Sequence, residues 1–287
     1  MATLPSASLT NFATLDLSDP DLRLFDATVY LVPAKTGYRA ESGAAKYAER
    51  HIPGANYMDL LNSFSDTTTG LGFSLPSPEA LQIAFRTAGI NDNSRVVFYS
   101  GGHPMWATRA WWIAHYAGLD NIAVLDGGLD RWRADGGVVT TSSPNYPSGE
   151  FTINPNPVLF VDGDGVAAAI GNQATCTLNA LSPAVYEGTG DMHYGRRGHI
   201  PGSINLFYDE LLQDGSFKSV DALREILEGR GLHEAERVIA YCGGGISATI
   251  DAFACQLVGY NNVAVYDGSM SEWVRDESRP LTTGMEA

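Results

Sequence analysis

AGLDNIAVLDGGLDRW (residues 117–132) and VGYNNVAVYDGSMSEW (258–273) match at an offset of 141. Gly118, Asn121, Ala123, Val124, Asp126, Gly127 and Trp132 recur as Gly259, Asn262, Ala264, Val265, Asp267, Gly268 and Trp273. Working outward, RVVFYSGG (95–102) matches RVIAYCGG (237–244) at an offset of 142, and HIPGA (51–55) matches HIPGS (199–203) at 148. The order is the same in both halves, so the chain is a duplication. The shift in offset assigns about six extra residues to the first half, in the Ser/Thr/Gly-rich stretch 62–74. Two copies of this length make two domains, read here as 1–145 and 146–287, joined near TTSSPNYPSGE (140–150).

Within each half, strand and helix signals alternate. Val96–Tyr99 and Val238–Tyr241 are short apolar runs suited to buried parallel strands, and Ile122–Leu125 and Val263–Tyr266 are two more. Between them, Trp106, Ala110, Ile113, Ala114 and Ala117 fall on one helical face, as do Ile250, Phe253, Ala254, Leu257 and Val258. The pattern predicts an α/β chain of two domains, each a mostly parallel sheet flanked by helices. Ligands of such sheets bind at the C-terminal ends of the strands.

The 287 residues are 44 % hydrophobic, enough to build real cores, and carry 18 basic against 33 acidic side chains, a net charge of −15. That balance argues against nucleic acid and against docking on anionic lipid. No apolar run approaches membrane-spanning length, and the first nineteen residues hold no basic residue, so the expected location is the cytoplasm. The three cysteines, Cys176, Cys242 and Cys255, form no disulfide framework and no CxxC pair; neither a metal nor an organic cofactor is suggested.

Cys242 stands where a strand ends and a helix begins, followed by Gly243-Gly244-Gly245-Ile246-Ser247. Successive glycines let the backbone curl so that several N–H groups face one spot, and the next helix adds its positive N-terminal end. A thiol there should ionise more readily than a free cysteine, and the same cradle would hold a persulfide or an oxyanion. Buried inert cysteines beside glycine turns are also common. The repeat separates the two readings: the matching position in the first half is Ser100, so the scaffold does not require cysteine. One copy keeps the thiol and one lacks it, as an active and an inactive domain would.

The two HIPG segments, the strand-end cysteine of CGGGIS, and the closing DGGLDRW and DGSMSEW elements together resemble the tandem rhodanese family of thiosulfate and 3-mercaptopyruvate sulfurtransferases. The resemblance covers roughly residues 20 to 280. It implies that Cys242 attacks the outer sulfur of a small anionic donor, becomes a persulfide, and passes the sulfur to cyanide or a thiol. It implies that Gly243, Gly244, Gly245, Ile246 and Ser247 form the cradle. The Ser247 hydroxyl would donate to the bound sulfur or donor, or would cap the helix. The loop has no basic side chain after the cysteine and is closer to the neutral CGSGVT form, yet Gly244 replaces its serine. Arg196 and Arg197, just before HIPG, could grip an anionic donor or form a solvated basic loop. His51 and His199 occur in both halves and read as structural; Asp126 and Asp267 read as loop anchors, and Trp132 and Trp273 as core. The first domain is expected to form one wall of the cleft, through 101–106 or 62–74.

Two rival functions are separable. A phosphatase on this scaffold needs an arginine six residues after the cysteine, and that residue is Ala248. A persulfide carrier serving only a protein partner would load sulfur without turning over small acceptors.

Overall fold

A computed structural model describes residues 7–33 and 38–285. It contains two five-stranded sheets, all of whose neighbouring strands run parallel. The first has the spatial order Leu9–Thr10, Ile122–Leu125, Arg95–Tyr99, Leu22–Asp26, Ala55–Tyr57. The second repeats it with Phe160–Val161, Val263–Tyr266, Arg237–Tyr241, Thr175–Asn179 and Ser203–Asn205. Two short antiparallel hairpins, Val29–Pro33 with Tyr38–Ser42 and Leu212–Gln213 with Ser216–Phe217, lie outside these sheets.

Strand alternation shows why both faces of a sheet are covered. In Arg95–Tyr99, Val96 and Phe98 join the core shared with the helix Met105–Tyr116, while Val97 and Tyr99 join a second cluster with Leu129 and Trp132. The insertion expected in the first half is where the repeat placed it. Between strand Ala55–Tyr57 and the next α-helix run residues 58–77, against 206–219 after strand Ser203–Asn205 in the second half.

The helices that follow the central strands depart from the expected one-sided pattern. All twelve residues of Met105–Tyr116 are buried, and so is Ala248–Gln256 of the helix Ala248–Leu257. Each helix lies between its own sheet and the other half's helix, so no face is left for solvent. At their crossing the hydroxyls of Thr108 and Thr249 meet at 2.7 Å. These two residues are themselves equivalents at the 141 offset.

The HIPG histidines are fully buried and do structural work in both halves. Nδ1 of His51 lies 2.7 Å from the carbonyl of Tyr47, and Nδ1 of His199 lies 2.9 Å from that of Tyr186. Each ring stacks on the same tyrosine, at 4.0 and 3.6 Å between centroids. Trp132 and Trp273 are core residues, and each indole N–H donates to a carbonyl just beyond its helix, that of Val138 or Pro280.

Candidate active site

Strand Arg237–Tyr241 delivers Cys242 to the C-terminal edge of the second sheet, and helix Ala248–Leu257 starts six residues later. The connecting loop is held from outside by its carbonyls. Cys242 O accepts from Met270 N at 3.1 Å, and Gly243 O from Ser271 N and Oγ at 2.8 and 2.7 Å. Gly245 O accepts from Arg109 Nη1 at 3.2 Å, and Ile246 O from Thr249 N and Oγ1 at 2.9 and 2.7 Å. In a trans peptide the C=O and the following N–H point opposite ways. Pinning these carbonyls outward therefore turns the amides of Gly243, Gly244, Ile246 and Ser247 to the other side. None of those four amides donates to another described residue. Uncommitted amides at the N-terminal end of a helix are an arrangement suited to an anion.

The other two loop amides are committed. Ser269 Oγ accepts from both Cys242 N and Gly245 N at 3.1 Å, and donates to Tyr266 O at 2.7 Å. Ser269 is fully buried and has φ 48°, a conformation that disfavours any residue with a Cβ. Its equivalent in the first half is Gly128, at φ 56°. Gly245 needs its own freedom: φ is 72°, and a Cβ there would sit 2.5 Å from Asp267 O. At Gly243 a Cβ would meet the hydroxyl end of the Tyr194 side chain, which would have to move aside.

Cys242 is only 2 % exposed. Tyr194 covers one side. Its burial, and then the nearby Cys242 sulfur, raise its pKa, so it stays a neutral phenol. Tyr208 is held neutral in the same way, with Asp209 adding to the effect. On another side the first half closes in, since Gly72 O and Ser271 Oγ are the atoms a Cβ at Gly244 would approach, at 4.0 and 3.9 Å. This segment is docked on the second half by Asp267, whose Oδ2 accepts from Leu75 N at 2.7 Å. Gly72 of the 62–74 stretch thus lies beside the loop that follows Cys242, while in 101–106 Met105 O accepts from Thr249 Oγ1 at 3.5 Å and Trp106 packs on Phe73.

Ser247 occupies the N-cap position of the helix, and its side chain makes no capping hydrogen bond. Arg196 and Arg197, the expected grips for an anionic donor, are each engaged by backbone carbonyls. Arg196 Nη1 donates to Asp276 O and Arg279 O at 3.1 and 3.0 Å, and Arg197 Nη1 donates to Gly188 O and Gly190 O. Cys255 and Cys176 are buried, and desolvation pushes both thiols up, that of Cys176 to about 11, so neither is a ready nucleophile.

The rhodanese-like domain model matches residues 17–135 and 183–276, once in each half. The chain belongs to the tandem-domain rhodanese family of sulfurtransferases. Among rhodanese relatives, it is 32 % identical over 259 residues to the 3-mercaptopyruvate sulfurtransferase of Escherichia coli K12, covering 90 % of each chain. It is 33 % identical over 262 residues to the thiosulfate sulfurtransferase of Mus musculus, covering 89 % of this chain and 86 % of that one. The crystal structure of SseA from Escherichia coli, a 3-mercaptopyruvate enzyme with the rhodanese fold, superposes with a TM-score of 0.81 at 30 % identity, covering 93 % of this rhodanese and all of that chain.

Ser269 and Arg109, which hold the Cys242 loop, are not among the candidate residues of the sequence, and Tyr194 figures only within the basic cluster 193–197. For Ser269 the signal was present, because DGG in one half is DGS in the other.

Proposed function

We propose that Cys242 is the sulfur-carrying nucleophile and that residues 243–247 are its cradle. The supporting observation is the loop itself, with carbonyls pinned outward and four amides uncommitted beside a thiol at a helix N-terminus. The thiolate attacks the outer sulfur of thiosulfate, the S–S bond breaks, and sulfite leaves with the electron pair. With 3-mercaptopyruvate the C–S bond breaks instead, and the carbon fragment leaves as pyruvate after gaining a proton. In both cases a Cys242 persulfide anion remains, and the cradle amides stabilise it. Cyanide or a thiol then attacks the outer sulfur and regenerates the thiolate. The near-complete burial of Cys242 favours small donors and acceptors.

In this reading residues 146–287 are the catalytic domain and 1–145 the domain without a thiol at the loop. Arg196 and Arg197 brace the approach to HIPG rather than grip the donor. No helix among the described residues is long and apolar enough to cross a membrane, and the reading places the enzyme in the cytoplasm. The test is intact mass after thiosulfate and, separately, after 3-mercaptopyruvate, with Cys242→Ser alongside. The expected result is a gain of one sulfur in the parent only, removed by cyanide. No gain with either donor would overturn turnover on small molecules and leave a carrier loaded by a protein.

A further inference from the structure

The two halves differ where the chemistry is. Ser100 is matched by Cys242 at an offset of 142; at 141, Gly128 is matched by Ser269 and Arg109 by Ile250. Arg109 belongs to the first half, yet its side chain is 1 % exposed and reaches the loop of the second. Nη2 lies 2.7 Å from Asp267 Oδ1 and donates to Phe73 O at 2.5 Å. Nη1 donates to Gly245 O at 3.2 Å. Asp126, the counterpart of Asp267, also binds the other half, accepting from Phe217 N at 2.9 Å. No ion pair closes on Asp126 among the described residues, so the aspartate anchor is common to both halves and the buried cation belongs to one.

Holding Gly245 O fixes the plane of the Gly245–Ile246 peptide and turns the Ile246 N–H away from Arg109, into the cradle. A guanidinium does this with a rigid, planar fork that cannot lose its charge. Because Phe73 and Asp267 share the same fork, the 66–75 segment and the cradle are set by one group.

We propose that Arg109 is a positioning residue of the sulfurtransferase reaction, supplied by the half that lacks a thiol at its own loop. It aims the Ile246 amide at the sulfur on Cys242 and does not touch the donor. This rests on Cys242 being the sulfur carrier.

The experiment compares the parent with Arg109→Gln, Arg109→Lys and Asp267→Asn. It reads sulfur gain by intact mass, kcat and KM with whichever of thiosulfate or 3-mercaptopyruvate loads the parent, the pH profile of Cys242 alkylation by iodoacetamide, and the thermal midpoint. Arg109→Gln is expected to lose about 100-fold in kcat with little change in KM. Its alkylation profile moves to higher pH. Arg109→Lys recovers part of both, and Asp267→Asn falls between. Parental kcat and an unmoved alkylation profile in Arg109→Gln, whatever its thermal midpoint, would overturn the proposal. If Arg109→Gln does not fold, Arg109→Lys decides, because it keeps the charge and loses the fork: parental values there overturn it equally. Failure of the parent to gain sulfur would strike the Cys242 reading instead, and the alkylation profiles would still decide whether Arg109 sets the loop.

Discussion

Ser269 shows how much a single residue can be asked to do. A left-handed backbone costs a non-glycine residue about 1–2 kcal/mol, and Gly128 avoids that cost in the other half. The hydroxyl offsets the strain by accepting two buried amides, each of which would cost about 1–3 kcal/mol if left unpaired. Ser269→Gly removes the strain and the acceptor together. A net loss of about 1–3 kcal/mol in urea unfolding is expected, with turnover down by about 100-fold as the loop amides lose their register. Parental turnover would show that the loop keeps its shape without the serine. Cys242 stands out in the sequence because the repeat supplies its own control in Ser100. Ser269 was legible only as a difference between two copies, since no pattern of letters reports which hydroxyl accepts from which amide. Arg196 and Arg197 stood out by charge, but charge along a chain does not say where a guanidinium points. Here both are engaged by nearby carbonyls.

Among the elements, strands were read closely and helices less so. Ile122–Leu125 and Val263–Tyr266 have the bounds the sequence suggested, because short apolar runs between turn residues leave little room for error. The two central helices are buried all round, a full cylinder where one apolar stripe was expected. Their few polar residues meet across the domain interface or lie buried. His115 is such a group. Its ring lies against Trp111, and burial pushes its pKa down to about 4 from 6.5. Above pH 6.5 it is neutral in both folded and unfolded chains, and its full contribution is present. As the pH falls from 6.5 toward 4 the unfolded chain takes up a proton that the folded chain refuses, so stability is lost. The parent should lose about 2–3 kcal/mol more than His115→Phe between about pH 7.5 and 4.5 in urea unfolding. Asp251, fully buried and raised by burial, titrates in the opposite sense but is common to both proteins and cancels in the difference. Equal losses in the two would mean that His115 is protonated in the folded state.

For the molecule as a whole, the net charge of −15 meets an anionic donor. The cradle attracts over a few ångströms, whereas the surface repels over the Debye length, which shortens from about 30 Å at ~0.01 M salt to about 8 Å at ~0.15 M. Added salt should therefore raise kcat/KM for thiosulfate several-fold across that range, with kcat unchanged. A fall would mean that a local positive field governs the encounter. The reciprocal anchors carry a further consequence. Asp126 takes the amide of Phe217, Asp267 takes that of Leu75, and Thr108 meets Thr249 between them. One patch used twice about a two-fold axis is how an isologous pair of subunits is held. The chain is such a pair made covalent. Identical subunits must keep identical clefts, because each substitution appears in both. Joined in one chain, the copies differ at the cleft, with a thiol in one half and a buried arginine reaching behind it from the other, a division of labour that no symmetric dimer can encode.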